Sequence, residues 1–134
     1  MAEFPALTHV AVTVRDLAIS APWYRRLFDC DPVLDEDTDA GFHHAVWLLG
    51  NGTLFGIHQH TRSAPEEEFS EFRVGLDHVA FACTSRAELR TWQSRLDELG
   101  ISHGGIVDAG YGSGLSFRDP DGIALEFFTA AANA

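Results

Sequence analysis

Two stretches of the chain repeat one pattern of apolar and polar positions. Leu7-Thr8-His9-Val10-Ala11-Val12 and Leu76-Asp77-His78-Val79-Ala80-Phe81 align residue by residue. Alternation with a period of two marks a strand whose faces differ. After each stretch, apolar residues recur close to a helical period: Trp23, Leu27 and Phe28 in the first half, Leu89, Trp92, Leu96 and Leu99 in the second. Ser85 with Glu88 forms a capping box that starts the second helix. Pro22 is disfavoured deep inside a helix, so Ser20 is expected to cap the first one, with Pro22 in the first turn.

Strand-like segments follow each helix. They are Val33-Leu34, Ala45 to Leu49 and Leu54 to His60, then Ile106-Val107, Leu115 to Phe117 and Ala124 to Phe128. Asn51-Gly52 and Asp119-Pro120-Asp121-Gly122 punctuate them as turns. Each half therefore reads β-α-β-β-β, over about 7–60 and about 75–129, joined by a polar linker from Thr61 to Arg73. The expected fold class is α+β, with two tandem βαβββ modules forming one domain over residues 1–134.

The faces of these strands differ in chemistry. Val10, Val12 and Val14, with Val79, Phe81 and Cys83 in the repeat, share an apolar face with Phe55, Ile57, Ile123, Leu125 and Phe127. That face should pack on the helices. The opposite face carries His9, Ala11, Thr13, Gly56 and His58 in one half, and His78, Ala80, Ala82, Ala124, Glu126 and Phe128 in the other. Small residues with a few ionisable ones suit a cavity wall.

Aligning Gly52 with Gly122 sets Gly56 opposite Glu126, as His9 stands opposite His78. His9, His78 and Glu126 are thus candidate metal ligands, and Gly56 leaves the fourth repeat-related position without a donor. Two imidazoles and one carboxylate with open positions suit Fe(II), and tolerate Mn, Ni, Co or Zn. His58 is a pocket residue and a candidate for proton transfer or, less simply, ligation. Tyr111, between Gly110 and Gly112, is either a mobile cover that transfers a proton or part of an ordinary turn. His60 and His103 are expected at the surface, and of His43 and His44 at most one enters the pocket. Trp47 and Phe117 are expected in the core. Arg118 would bind an anionic group or pair with Asp119 or Asp121. Ser113 and Ser116 lack a recognisable histidine and acid partner.

Composition narrows the function classes. The 134 residues are 46% hydrophobic and 22% charged, with a formal charge of -11, so nucleic acid and anionic membrane surfaces are excluded as natural partners. The run Glu66-Glu67-Glu68 reads as a solvated loop. Two cysteines, Cys30 and Cys83, show neither metal-type spacing nor a disulfide framework. No secretion signal or membrane-length apolar run is visible, and a cytoplasmic protein is expected.

Three stretches carry a family resemblance: Thr8 to Leu17, Gly75 to Phe81, and Phe117 to Glu126. In these the chain resembles the vicinal oxygen chelate superfamily, which includes glyoxalase I, extradiol dioxygenases, fosfomycin resistance proteins and bleomycin-binding proteins. The resemblance implies a glyoxalase-like cup of mixed β-sheet with helices outside, a homodimer, and metal ligands at His9, His78 and Glu126. It also implies a small-molecule substrate bound through neighbouring oxygens, for lyase, dioxygenase or transferase chemistry. Glyoxalase-type members place a further ligand or base where this chain has Gly56, so the three-ligand dioxygenases and fosfomycin-type transferases fit better. The alternative is a non-catalytic protein that sequesters an antibiotic-type molecule, with Trp47 and Phe128 as aromatic walls.

Overall fold

Alternation and helical period place the elements well, and their ends less well. The computed structural model describes residues 3–62 and 67–131. Its chain divides into two compact units, 1–67 and 68–134. The first contains β1 (His9–Thr13), α1 (Leu17–Phe28), β2 (Leu34–Asp37), β3 (Phe42–Leu48) and β4 (Leu54–His60). The second contains β5 (Val79–Ala82), α2 (Arg86–Glu98), β6 (His103–Ala109), β7 (Gly112–Arg118) and β8 (Ala124–Ala130). Each unit is therefore βαβββ, as the repeat predicts.

The two sheets have the same strand order, β1-β4-β3-β2 and β5-β8-β7-β6. β1 runs parallel to β4, and β5 to β8; the other neighbours are antiparallel. A parallel neighbour needs a crossover, and here the helix and two strands supply it. The registers Ala11↔Gly56 and Ala80↔Glu126 are equivalent, so the structure reproduces the alignment of Gly56 with Glu126.

The first helix starts earlier than expected. Asp16, not Ser20, is its cap, with the carboxylate accepting from Ala18 N. Ser20 is a buried helical residue, and Pro22 lies inside the helix. In the second helix Ser85 accepts from Glu88 N as expected. Glu88 reaches one residue further back, to Thr84 N and its hydroxyl, which closes the box on a different donor. β6 and β7 also extend beyond their apolar cores, because ladder hydrogen bonds join backbones and need no apolar side chain.

Both apolar faces pack as predicted. Val12, Val14, Phe55 and Ile57 are buried in the first unit, and Cys83, Ile123, Leu125 and Phe127 in the second. In the first, Tyr24 and Phe28 from α1 meet Trp47 and Phe55 at ring-centroid distances of 5.3–6.2 Å. In the second, Trp92 from α2 stacks on Phe127 at 4.3 Å, and Phe127 in turn on Phe117. Each such pair adds about 0.5–1.5 kcal/mol beyond its buried area. Among the described residues, no helix is long and apolar enough to cross a membrane.

Candidate functional site

The preceding residue anchors each of the two repeat-related histidines. His78 Nδ1 donates to the Asp77 carboxylate at 2.6 Å. His9 Nδ1 lies 2.9 Å from the Thr8 hydroxyl. A ring whose Nδ1 donates its proton carries its lone pair on Nε2, the form that binds metals. Neither Nε2 has a hydrogen-bond partner among the described residues.

Glu126 extends from β8 onto the face predicted for it, and Ser116 donates to its Oε2 at 3.4 Å. His78 and Glu126 line one open cavity of ≈ 550 Å³ in the second unit, together with Asp77, Ser116, Arg118 and Glu71. His9 belongs to the first unit, on β1. Among the described residues, no three His, Cys, Asp or Glu side chains stand together as a ready metal cluster. The structure thus brings His78 and Glu126 into one cavity wall. In donor chemistry all three residues fit a divalent ion: two imidazoles with Nδ1 occupied and one carboxylate.

In the first unit Gly56 and His58 share a face of β4. No register shift moves His58 into the place of Gly56; instead its ring leans back, with Nε2 3.6 Å from where a Cβ on Gly56 would stand. Phe42 stacks on the His58 ring at 4.3 Å, and His44 meets it edge-on at 5.4 Å. Burial, then the charges of His44, His60 and His9, push the His58 pKa below its ordinary value. Its surroundings therefore favour the neutral imidazole.

Other expectations change. His60 is half-buried beside His58 and Phe42 rather than solvent-facing. His44 enters the His58 cluster, whereas His43 bridges Asp35 and Asp37 on the other face. His103 opens β6, where its Nδ1 accepts from Gly105 N and its Nε2 donates to Asp97, so it braces a β-bulge. Tyr111 sits in the β6–β7 turn, exposed, with its ring stacked on Phe128 at 6.1 Å. Trp47 is fully buried and donates to the Cys30 carbonyl, so it is no wall for a ligand. Ser113 donates to Asp108. Both cysteines are free, and burial, with the charge of Glu88, pushes the Cys83 thiol up to about 11. Of the acidic run, Glu67 and Glu68 are exposed, and Glu66 lies outside the described residues.

Arg118 pairs with neither Asp119 nor Asp121. Both its amino groups bond the Glu71 carboxylate, at 2.8 and 3.1 Å, and one also reaches the Gly122 carbonyl. The Arg118 guanidinium, helped by a backbone bond, holds the Glu71 carboxyl at about 2. Sequence reading missed this pair because the partners lie 47 residues apart. It also missed the close packing at Gly112. A side chain there would overlap the Thr129 carbonyl and come 2.5 Å from Phe128 Cζ. The only signal was its place in Gly110-Tyr111-Gly112-Ser113-Gly114, which reads as a turn.

The family model for the glyoxalase/bleomycin resistance protein/dioxygenase superfamily matches residues 6–127. The chain belongs to this superfamily. Similar members include the metallothiol transferase FosB of Bacillus licheniformis, 25% identical over 93% of this chain and 75% of that protein. The putative ring-cleaving dioxygenase MhqA of Bacillus subtilis is 40% identical, over 40% of this chain and 17% of its own length. Among solved structures, the glyoxylase/bleomycin resistance protein/dioxygenase domain from Frankia sp. EAN1pec superposes with a TM-score of 0.86. It is 30% identical and covers 98% of this chain and 96% of that one. The fosfomycin resistance protein FosX of Listeria monocytogenes, complexed with Mn(II) and a dihydroxypropylphosphonic acid, shares the superfamily fold. Its TM-score is 0.67 at 16% identity, over 93% of this chain and 92% of FosX.

Proposed function

We propose that this superfamily member is a metal-dependent enzyme acting on a small molecule with two neighbouring oxygens. His9, His78 and Glu126 would hold a divalent ion, and a homodimer is part of the reading. The observation that carries it is the shared anchoring of His9 by Thr8 and His78 by Asp77, which leaves Nε2 available on both. The Mn(II) bound to FosX supports the choice of a divalent ion for this chain.

A divalent ion held there supplies Lewis-acid polarisation of substrate oxygens. The chain's own groups do the rest. Asp77 keeps the His78 imidazole in the ligating tautomer, and the Thr8 hydroxyl holds the His9 ring at Nδ1. His58, with its depressed pKa, accepts a proton at Nε2 above Gly56. Tyr111 offers an exposed phenol, its ring stacked on Phe128. Gly56 leaves no carboxylate base at its position, which favours transferase or dioxygenase chemistry over glyoxalase-type isomerisation. The sequestering alternative loses an aromatic wall, since Trp47 is buried.

Metal analysis of protein reconstituted anaerobically with Mn(II), Fe(II) or Zn(II) tests this. Wild type should take up one ion per site, His78→Ala and Glu126→Gln should lose most of it, and His58→Ala should keep it while losing activity. Unchanged metal content in His78→Ala would overturn the assignment.

A further inference from the structure

We infer that Gly114 is a positioning residue for Glu126: the absence of a side chain at 114 holds open the space that the Glu126 carboxylate fills. The inference rests on the reading of Glu126 as a metal ligand. Directly across from Glu126 on β7 is Ser116, while Gly114 stands across from Phe128. The Glu126 side chain does not stop over Ser116. It leans along the sheet until its carboxylate lies over Gly114, where an added Cβ would be 3.0 Å from Oε2, 3.2 Å from Cδ and 3.6 Å from Cγ. The two shorter distances are tighter than nine in ten real Cβ contacts, so an alanine at 114 requires the carboxylate to give by a few tenths of an ångström. Metal sites accept deviations of only about 0.2 Å in ligand distance.

Nothing else at position 114 demands glycine. Its φ lies outside the left-handed region that Gly112 and Gly122 adopt. The atoms nearest to a Cβ there all belong to Glu126, whereas Gly112 faces the Thr129 carbonyl and the Phe128 ring. Glycine inside a strand weakens the strand, so its presence here calls for a reason of this kind. Gly56 differs: a Cβ there would meet its neighbours at 3.5–3.8 Å, ordinary contact that forces no movement.

The test is Mn(II) titration of the full chain, reading free Mn(II) by electron paramagnetic resonance, beside the melting temperature of metal-free protein. Gly114→Ala should melt at or above wild type without metal, because the carboxylate can swing towards the open cavity and alanine stiffens the strand. Its Mn(II) affinity should nonetheless fall about 10-fold or more. In a Glu126→Gln background the same substitution should cost no further affinity, which a purely structural role would not produce. Wild-type affinity in Gly114→Ala, with Glu126→Gln weakened, would sink the inference and leave the metal reading standing. So would a Gly114→Ala chain that fails to fold, since the glycine would then serve the strand. If instead wild type binds no Mn(II), or Glu126→Gln binds like wild type, the metal reading itself fails.

Discussion

His43 and His58 stand on adjacent strands, and their surroundings push them in opposite directions. Asp35 and Asp37 bond both nitrogens of His43 and raise its pKa; burial and neighbouring imidazoles lower that of His58. In a histidine NMR titration, His43 should protonate above the ordinary value near 6.5 and His58 below it. Asp35→Asn should bring the His43 midpoint down. The stability signs follow from linkage. The His43 pairing is fully present below the unfolded-chain pKa and is lost as pH rises through its higher folded one. Burial of neutral His58 has no cost above the unfolded-chain pKa, and destabilises as pH falls towards its lower folded one. At this scale the sequence was legible where the repeat spoke: Gly56 and Glu126 stand at equivalent register positions in the two sheets. It was silent on Gly112 and Gly114, because the reason for each is a side chain or carbonyl on another strand. Nor could it reveal the lean of His58 over Gly56, which is a rotamer and not a register.

Among the elements, the turn between β7 and β8 was legible from its residues alone. Asp119 Oδ1 accepts from Asp121 N and Ile123 N, both at 2.8 Å, while Gly122 takes a φ of 79°. Asp119 is itself buried, so Asp119→Ala leaves two backbone donors unpaired away from water. The expected loss is about 1–3 kcal/mol for such a group, read as a lower urea midpoint with an unchanged slope. An unchanged midpoint would show that water replaces the carboxylate. β2 was harder to find, since Leu34-Asp35-Glu36-Asp37 is exposed throughout and belongs to its sheet through backbone pairing with β3. The start of α1 was misplaced for a related reason. Asp16 and Ser20 are both good caps by type, and only the packing that buries Ser20 decides between them.

For the whole molecule, the charge of -11 bears on association. Two copies that pair must bring like charges together, and salt relieves that repulsion. Sedimentation should therefore show a dimer that tightens between about 10 mM and 0.15 M salt, as the screening length falls from about 30 Å to about 8 Å. A monomer at every salt concentration would remove the homodimer from the proposed function. The family and the βαβββ repeat were legible because they rest on pattern over the whole length. The reaction was not, because relatives with this pattern include both a metallothiol transferase and a putative ring-cleaving dioxygenase. Strand order also bears on folding speed. In each unit the histidine-bearing stretch leads a strand whose sheet partner among the described residues, β4 or β8, comes last in its module. The local hairpins β3–β4 and β7–β8 close short loops and can form early, whereas β1 and β5 must wait for distant partners. His9 and the strand that follows His78 are thus among the last to join their sheets, and a bound ion would act chiefly by slowing escape from the finished fold, with little influence on the speed of reaching it.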